Sequence, residues 1–109
     1  MKEIKAIIQP SALNQVLIAL HEIEGLPGCT VSTVIGHGRI RGKEGGDSLL
    51  ESAERSKLEI VVPNQLVNKV LDAIYKHAHT GNKGDGKVFV IEAADALSLR
   101  TGERGEAAL

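Results

Sequence analysis

Two helical stripes divide this chain into halves of similar plan, each flanked by strand-like runs. In residues 2–9, Ile4, Ala6 and Ile8 fall on one side and Lys5 and Ile7 on the other, the alternation of a half-buried strand, and Pro10 ends it. Ser11 then offers a cap for a helix over about 12–24, with Leu13, Val16, Leu17, Leu20 and Ile23 on one stripe and Gly25, Pro27 and Gly28 closing it. Residues 29–35 are β-branched almost throughout, and residues 57–62 set Leu58, Ile60 and Val62 against Glu59 and Val61, so two more strands are expected. Asn64 reads as the cap of a second helix carrying Leu66, Val67, Val70, Leu71 and Ile74, which stops before Thr80 and Gly81. Residues 87–93 read as a last strand.

This order predicts one α+β domain over residues 1–109: a ferredoxin-like βαββαβ sandwich, a four-stranded sheet with both helices on one face. A chain of 109 residues has room for one compact core and not for two. Between strands two and three lies the segment 36–56, with Gly36, Gly38, Gly42, Gly45 and Gly46 and few apolar residues beyond Ile40, Leu49, Leu50 and Ala53. It reads as a long loop with no packed element, and loops of that length in compact domains are functional or disordered. Ser48, Ser52 and Ser56 read as solvated loop residues, and the tail 98–109 as a segment that orders only when something binds it.

Charge excludes some partners. Thirteen Lys and Arg against fourteen Asp and Glu leave a net charge of −1, without the basic footprint of a protein held on nucleic acid or anionic lipid. Aromatics are 2% of the chain, Tyr75 and Phe89, so no rings serve base stacking. The core must come from Ile, Val, Leu and Ala, thin at this size unless sister subunits bury more. The lone Cys29 has no disulfide partner, and the opening MKEIKAIIQP carries charges throughout, unlike a signal peptide or membrane span; a cytoplasmic protein is expected.

Three clusters invite a binding role. Gly81-Asn-Lys-Gly-Asp-Gly-Lys87 fills seven positions of the phosphate-binding P-loop pattern, but Val88 stands where Ser or Thr should hold magnesium, and the segment leads from helix to strand rather than the reverse. A P-loop NTPase is rejected on those grounds. There remain glycines that let backbone amides approach a ligand, Asp85, and Lys87 at the mouth of a strand, a cradle for phosphate oxygens or simply a glycine-rich turn. Gly36-His-Gly-Arg-Ile-Arg-Gly42 and Leu99-Arg-Thr-Gly-Glu103 add arginines, whose planar forks suit phosphate but which alone read as surface charges. Sequence spacing does not say whether the fold gathers the three clusters.

His77, His79 and His37 offer an alternative, a ferredoxin-like trimer binding metal ions. Helix positions two apart face different ways, so that site needs the helix to have ended and more ligands to arrive, and histidines favoured by the helix C-terminal dipole are the simpler account. Catalysis has little to rest on. Cys29 reads as a small buried hydrophobe, and neither a general base nor a magnesium ligand accompanies Lys87.

Taken together, the clusters resemble the PII family of nitrogen and carbon signalling proteins, the GlnB/GlnK group. The resemblance is carried by Met1-Lys-Glu-Ile-Lys-Ala-Ile-Ile-Gln-Pro10, Gly28-Cys-Thr-Val31, Gly36-His-Gly-Arg39, Lys57-Leu-Glu-Ile-Val-Val-Pro63, Thr80 to Val90 and Arg100-Thr-Gly-Glu103. It implies a homotrimer that binds ATP or ADP in the clefts between subunits and is not an enzyme. It further implies control of a target protein, a membrane transporter among the candidates, through the long loop, called the T-loop. By the same carry-over, Ile7, Gly28, Cys29, Thr30, Glu59 and Val61 surround adenine and ribose. Gly36, Gly38, Arg39, Gly84, Asp85, Gly86 and Lys87 hold the phosphates with Arg100 of a neighbouring subunit.

The chain also departs from that family. Ile40 stands where members usually carry a glutamine that helps hold magnesium, and an aliphatic side chain cannot ligate a hard cation. Magnesium-dependent 2-oxoglutarate binding is therefore expected to be weak or absent. The loop has no tyrosine to modify, and Ser98 replaces one of two arginines, removing a phosphate fork. The lysine that members usually carry after the loop has either become Arg55 or been deleted. Across the loop, Arg39, Arg41, Lys43, Arg55 and Lys57 face Glu44, Asp47, Glu51 and Glu54, a near balance that suits a protein partner.

Overall fold

The fold was analysed in a computed structural model that describes the backbone of residues 1–41 and 48–109 and the side chains of residues 1–38 and 52–109. Strand β1 (Lys2–Ile8) leads through a short 3-10 turn to α1 (Leu13–His21); β2 (Thr30–Arg41) and β3 (Ser48–Val62) follow, then α2 (Val67–Ala78) and β4 (Gly86–Glu92). The sheet order is β2-β3-β1-β4 and every neighbouring pair is antiparallel. This is the expected ferredoxin-like sandwich.

Period-two and period-3.6 patterns meet in one core. Ile4, Ala6 and Ile8 of β1 and Leu58, Ile60 and Val62 of β3 are buried beneath Val16 and Leu20 of α1 and Val70, Ile74 and Ala78 of α2. Burying each larger aliphatic side chain contributes about 1.5–3 kcal/mol, and with so few aromatics this layer is the main source of stability. The sheet's opposite face carries no helix. Register aligns Ser32, Lys57, Ile7 and Lys87 in one row across it, and Thr30, Glu59, Lys5 and Phe89 in the next.

The helix starts differ from expectation. Neither helix is capped by a side chain: Pro10–Ala12 and Asn64–Leu66 form 3-10 turns, so Ser11 and Asn64 lie ahead of the α-helices instead of capping them. Asn64 Oδ1 instead accepts a 2.6 Å hydrogen bond from the N-terminal amine.

The segment 36–56 is the larger correction. β2 and β3 continue past the body of the sheet as a paired ribbon, with Gly36 opposite Ala53, Gly38 opposite Glu51 and Arg41 opposite Ser48. Backbone pairing tolerates this composition, because a ladder satisfies its N–H and C=O groups whatever the side chains are. Ser56, expected in solvent, is buried opposite Ile8. Residues 42–47 and the side chains of Arg39, Ile40 and Arg41 lie outside the described residues.

The tail corrects a further expectation. Leu97 bridges to Arg104, and a 3-10 turn spans Gly105–Ala108, so the segment is built from its own hydrogen bonds.

Candidate functional site

The glycine-rich turn between α2 and β4 is organised by one carboxylate. Asp85 Oδ2 accepts the backbone N–H groups of Thr80 (2.7 Å) and Gly81 (2.9 Å), and its Oδ1 accepts the Thr80 hydroxyl. The Thr80 hydroxyl, then its amide, hold the Asp85 carboxyl below the ordinary carboxylate range, with smaller help from Gly81 and from His79, 3.9 Å away. Both oxygens thus serve the turn, which argues against Asp85 as a general base or a magnesium ligand. Gly81, Gly84 and Gly86 all have φ between 86° and 106°, a region that L side chains rarely adopt.

Two residues that sequence reasoning left without a place in the cradle border this turn. Gln9 Nε2 donates to the Gly84 carbonyl at 2.7 Å, tying the end of β1 to the turn. A Cβ on Gly84 would stand 3.2 Å from Arg55 Nη2, while one on Gly36 would stand 3.6 Å from Arg55 Cγ. Arg55 therefore reaches from the foot of the β2–β3 ribbon to the glycine turn, and its Nη1 donates to the Glu54 carbonyl at 2.8 Å. A signal existed in the residue type, since Arg55 is an arginine at the margin of the loop, but its reach depends on register.

The fold thus brings two of the three clusters together, the ribbon foot at Gly36 and the turn at Gly84 to Lys87. Ile7, Thr30, Gly36, Gly38, Glu59, Val61 and Lys87 share the uncovered face of the sheet by register. Lys57 and Lys87 flank Ile7 there, and Lys57 lies 3.5 Å from Glu59. The backbone of Arg39 is paired opposite Leu50.

The third cluster goes elsewhere. β4 runs from Gly86 opposite Ile8 to Glu92 opposite Lys2, so about 20 Å of strand separates the cradle from the point where the tail carrying Arg100 departs. Gly28 and Cys29 precede β2 and line a hollow of about 690 Å³ with Leu17, Ile23 and Leu26. Burial pushes the Cys29 thiol up, only partly offset by backbone hydrogen bonding at Glu59, so it is not a ready nucleophile. His79 stacks on Tyr75 with ring centroids 4.6 Å apart, and His37 Nδ1 lies 2.9 Å from Ser52 Oγ on β2–β3. Among the described residues no three His, Cys, Asp or Glu side chains gather into a metal-ligand set, and the histidine alternative has no geometric support.

The architecture is a ferredoxin-like sandwich with a lysine-closed glycine turn at the foot of a long two-stranded ribbon. The family model described as Nitrogen regulatory protein P-II matches residues 1–103. The Nitrogen regulatory protein P-II of Rhodospirillum rubrum is 43% identical, with 96% of each chain covered. The Nitrogen regulatory protein P-II 1 of Escherichia coli K12 is 42% identical over the whole of both chains. A structure of the Bacillus subtilis GlnK-ATP complex matches with a TM-score of 0.87 and 32% identity, covering 99% of this chain and 94% of that one. A second structure of B. subtilis GlnK gives 0.80 and 31%, covering 99% and 97%. The chain belongs to the P-II family of nitrogen regulatory proteins.

Proposed function

We propose that this chain is a homotrimeric P-II regulator that binds ATP or ADP between subunits and signals occupancy to a target protein through the β2–β3 ribbon. The observation that carries this reading is Arg55, which touches the positions of Gly36 and Gly84 at once. Phosphate in the turn would meet the Lys87 ammonium and the Arg55 guanidinium, and a shift of Arg55 would be felt at the ribbon's foot. Charge at one place becomes geometry at another.

Oligomerisation follows from two features. The uncovered face of the sheet carries Ile7, Phe89 and Ile91 beside charged residues, and Arg100 leaves from the end of β4 away from its own cradle. A neighbouring copy supplies Arg100 to the phosphates, with Ile7, Gly28, Cys29, Thr30, Glu59 and Val61 around the base and ribose. The GlnK match, solved as an ATP complex, supports a nucleotide as the ligand. Among the described residues no helix is long and apolar enough to cross a membrane, so a transporter target would be met from outside the bilayer.

Magnesium finds little here. Asp85 is engaged by Thr80 and Gly81, and isoleucine at position 40 has no side-chain oxygen, so 2-oxoglutarate binding through magnesium is weak or lost. Isothermal titration with ATP, ADP and AMP, each with and without magnesium and 2-oxoglutarate, tests this. Saturable ATP or ADP binding unaffected by 2-oxoglutarate is expected; no adenine nucleotide binding would overturn the reading.

A further inference from the structure

The C-terminal turn is held by one residue that belongs to no cluster described above. Asp95 Oδ2 accepts Arg104 Nε at 2.8 Å and Arg104 Nη2, while its Oδ1 accepts the amides of Ala96 (2.8 Å) and Gly105 (3.1 Å). One carboxylate thus spans the two ends of the segment. Inside that grip, Gly105 N–H donates to the Ala96 carbonyl at 3.0 Å, Ser98 N–H to Glu103 at 2.9 Å and Gly102 N–H to Ser98 at 2.8 Å. Gly102 and Gly105 take φ of 76° and 67°, which the reversal requires.

At the tip of this closed turn stand Leu99, Arg100 and Thr101. Leu99 is 95% exposed, so the turn is built without any apolar packing at its tip. Its order rests on local hydrogen bonds and the Asp95–Arg104 ion pair. Ordering a free arginine at the moment of binding costs affinity, and holding it beforehand removes that cost.

We propose that Asp95 is a positioning residue for nucleotide binding: by clasping Arg104 and the Gly105 amide it presents Arg100 at the tip of a preformed turn, ready for phosphate held by a neighbouring copy. The inference rests on the nucleotide reading above and deepens it. Arg104 is the partner in the clasp and does not itself meet the ligand. The Arg104 guanidinium, followed by the Ala96 amide, holds the Asp95 carboxyl below its ordinary range, so the clasp stays charged at neutral pH.

The test uses Asp95→Ala, Arg100→Ala, the double variant, and the charge exchange Asp95→Arg with Arg104→Asp. Titration with ADP and ATP is read beside amide hydrogen exchange at Gly102 and Gly105 and the melting temperature. Asp95→Ala is expected to weaken both nucleotides roughly tenfold, to lose exchange protection in the turn, and to leave the melting temperature unchanged. It should add nothing once Arg100 is gone, and the exchanged pair should recover part of the affinity. A general structural role would instead lower the melting temperature and add to Arg100→Ala. Wild-type affinity in Asp95→Ala, with turn protection lost, overturns the inference alone. A wild-type chain that binds neither nucleotide, its turn protected, overturns the nucleotide reading and this inference with it.

Discussion

Gly86 leaves no room for a side chain beside Ile7: a Cβ built on it would fall on the Ile7 carbonyl oxygen, and its φ of 106° is one that other residues rarely adopt. Steric conflict and backbone strain therefore coincide where the cradle enters β4. Gly86→Ala is expected to cost about 2–3 kcal/mol in urea unfolding. The same variant should lose nucleotide affinity, because Lys87 takes its position from that residue.

Asp85 makes the glycine turn sensitive to acid. A carboxyl held below its ordinary value in the folded protein contributes stability above that value, and the contribution disappears as pH falls through the lowered one. Turn order is thus expected to decline as pH drops below about 4. Asp95 loses its hold on the C-terminal turn over the same window, a local loss of order, so the two must be separated by substitution. Asp85→Asn should flatten the acid limb of Thr80 and Gly81 amide protection while leaving protection at Gly105 pH-dependent, as followed by nuclear magnetic resonance.

The aliphatic layer should be intolerant of voids. Ile60 lies on β3, between β1 and β2, and is 1% exposed. Ile60→Ala is expected to destabilise the subunit by about 3–4 kcal/mol, the transfer loss plus the cavity, in chemical denaturation. Ile18→Ala, on the exposed side of α1, should change stability by less than about 1 kcal/mol.

Arg55 should report ligand binding more strongly than Gln9. Arg55→Ala removes a guanidinium at the cradle and the contact over Gly36, so roughly tenfold weaker ATP and ADP binding is expected by calorimetry. Gln9→Ala removes one neutral hydrogen bond to Gly84 and should weaken binding only about twofold, about 0.5 kcal/mol.

The core was legible because burial imposes a period: the patterned Ile4, Ala6, Ile8, Leu58, Ile60, Val62, Val16, Leu20, Leu66, Val70 and Ile74 are buried, and Leu13, Leu17, Ile23, Val67 and Leu71 of the same stripes pack against them partly buried. The ribbon was not, since Gly36 and Gly38 are held there by ladder pairing that composition does not report. Capping failed at Ser11 and Asn64 because each lies in a 3-10 turn one residue or more ahead of the α-helix. The motif residues at Gly84 to Lys87 were legible individually. The approach of Arg55 and Gln9 was hidden, as it depends on a strand register and a crossover linking distant segments.

Whether the site is shared between subunits is tested most directly by mixing two damaged chains. Lys87→Ala and Arg100→Glu each break one half of the proposed cleft, and each alone should bind ADP weakly. Unfolded together and refolded as a one-to-one mixture, the chains should recover wild-type affinity at about a quarter of the sites, the fraction that random assembly pairs with both intact halves. Calorimetry reads that fraction as stoichiometry. A mixture that contains hetero-oligomers and recovers no tight sites would contradict the account.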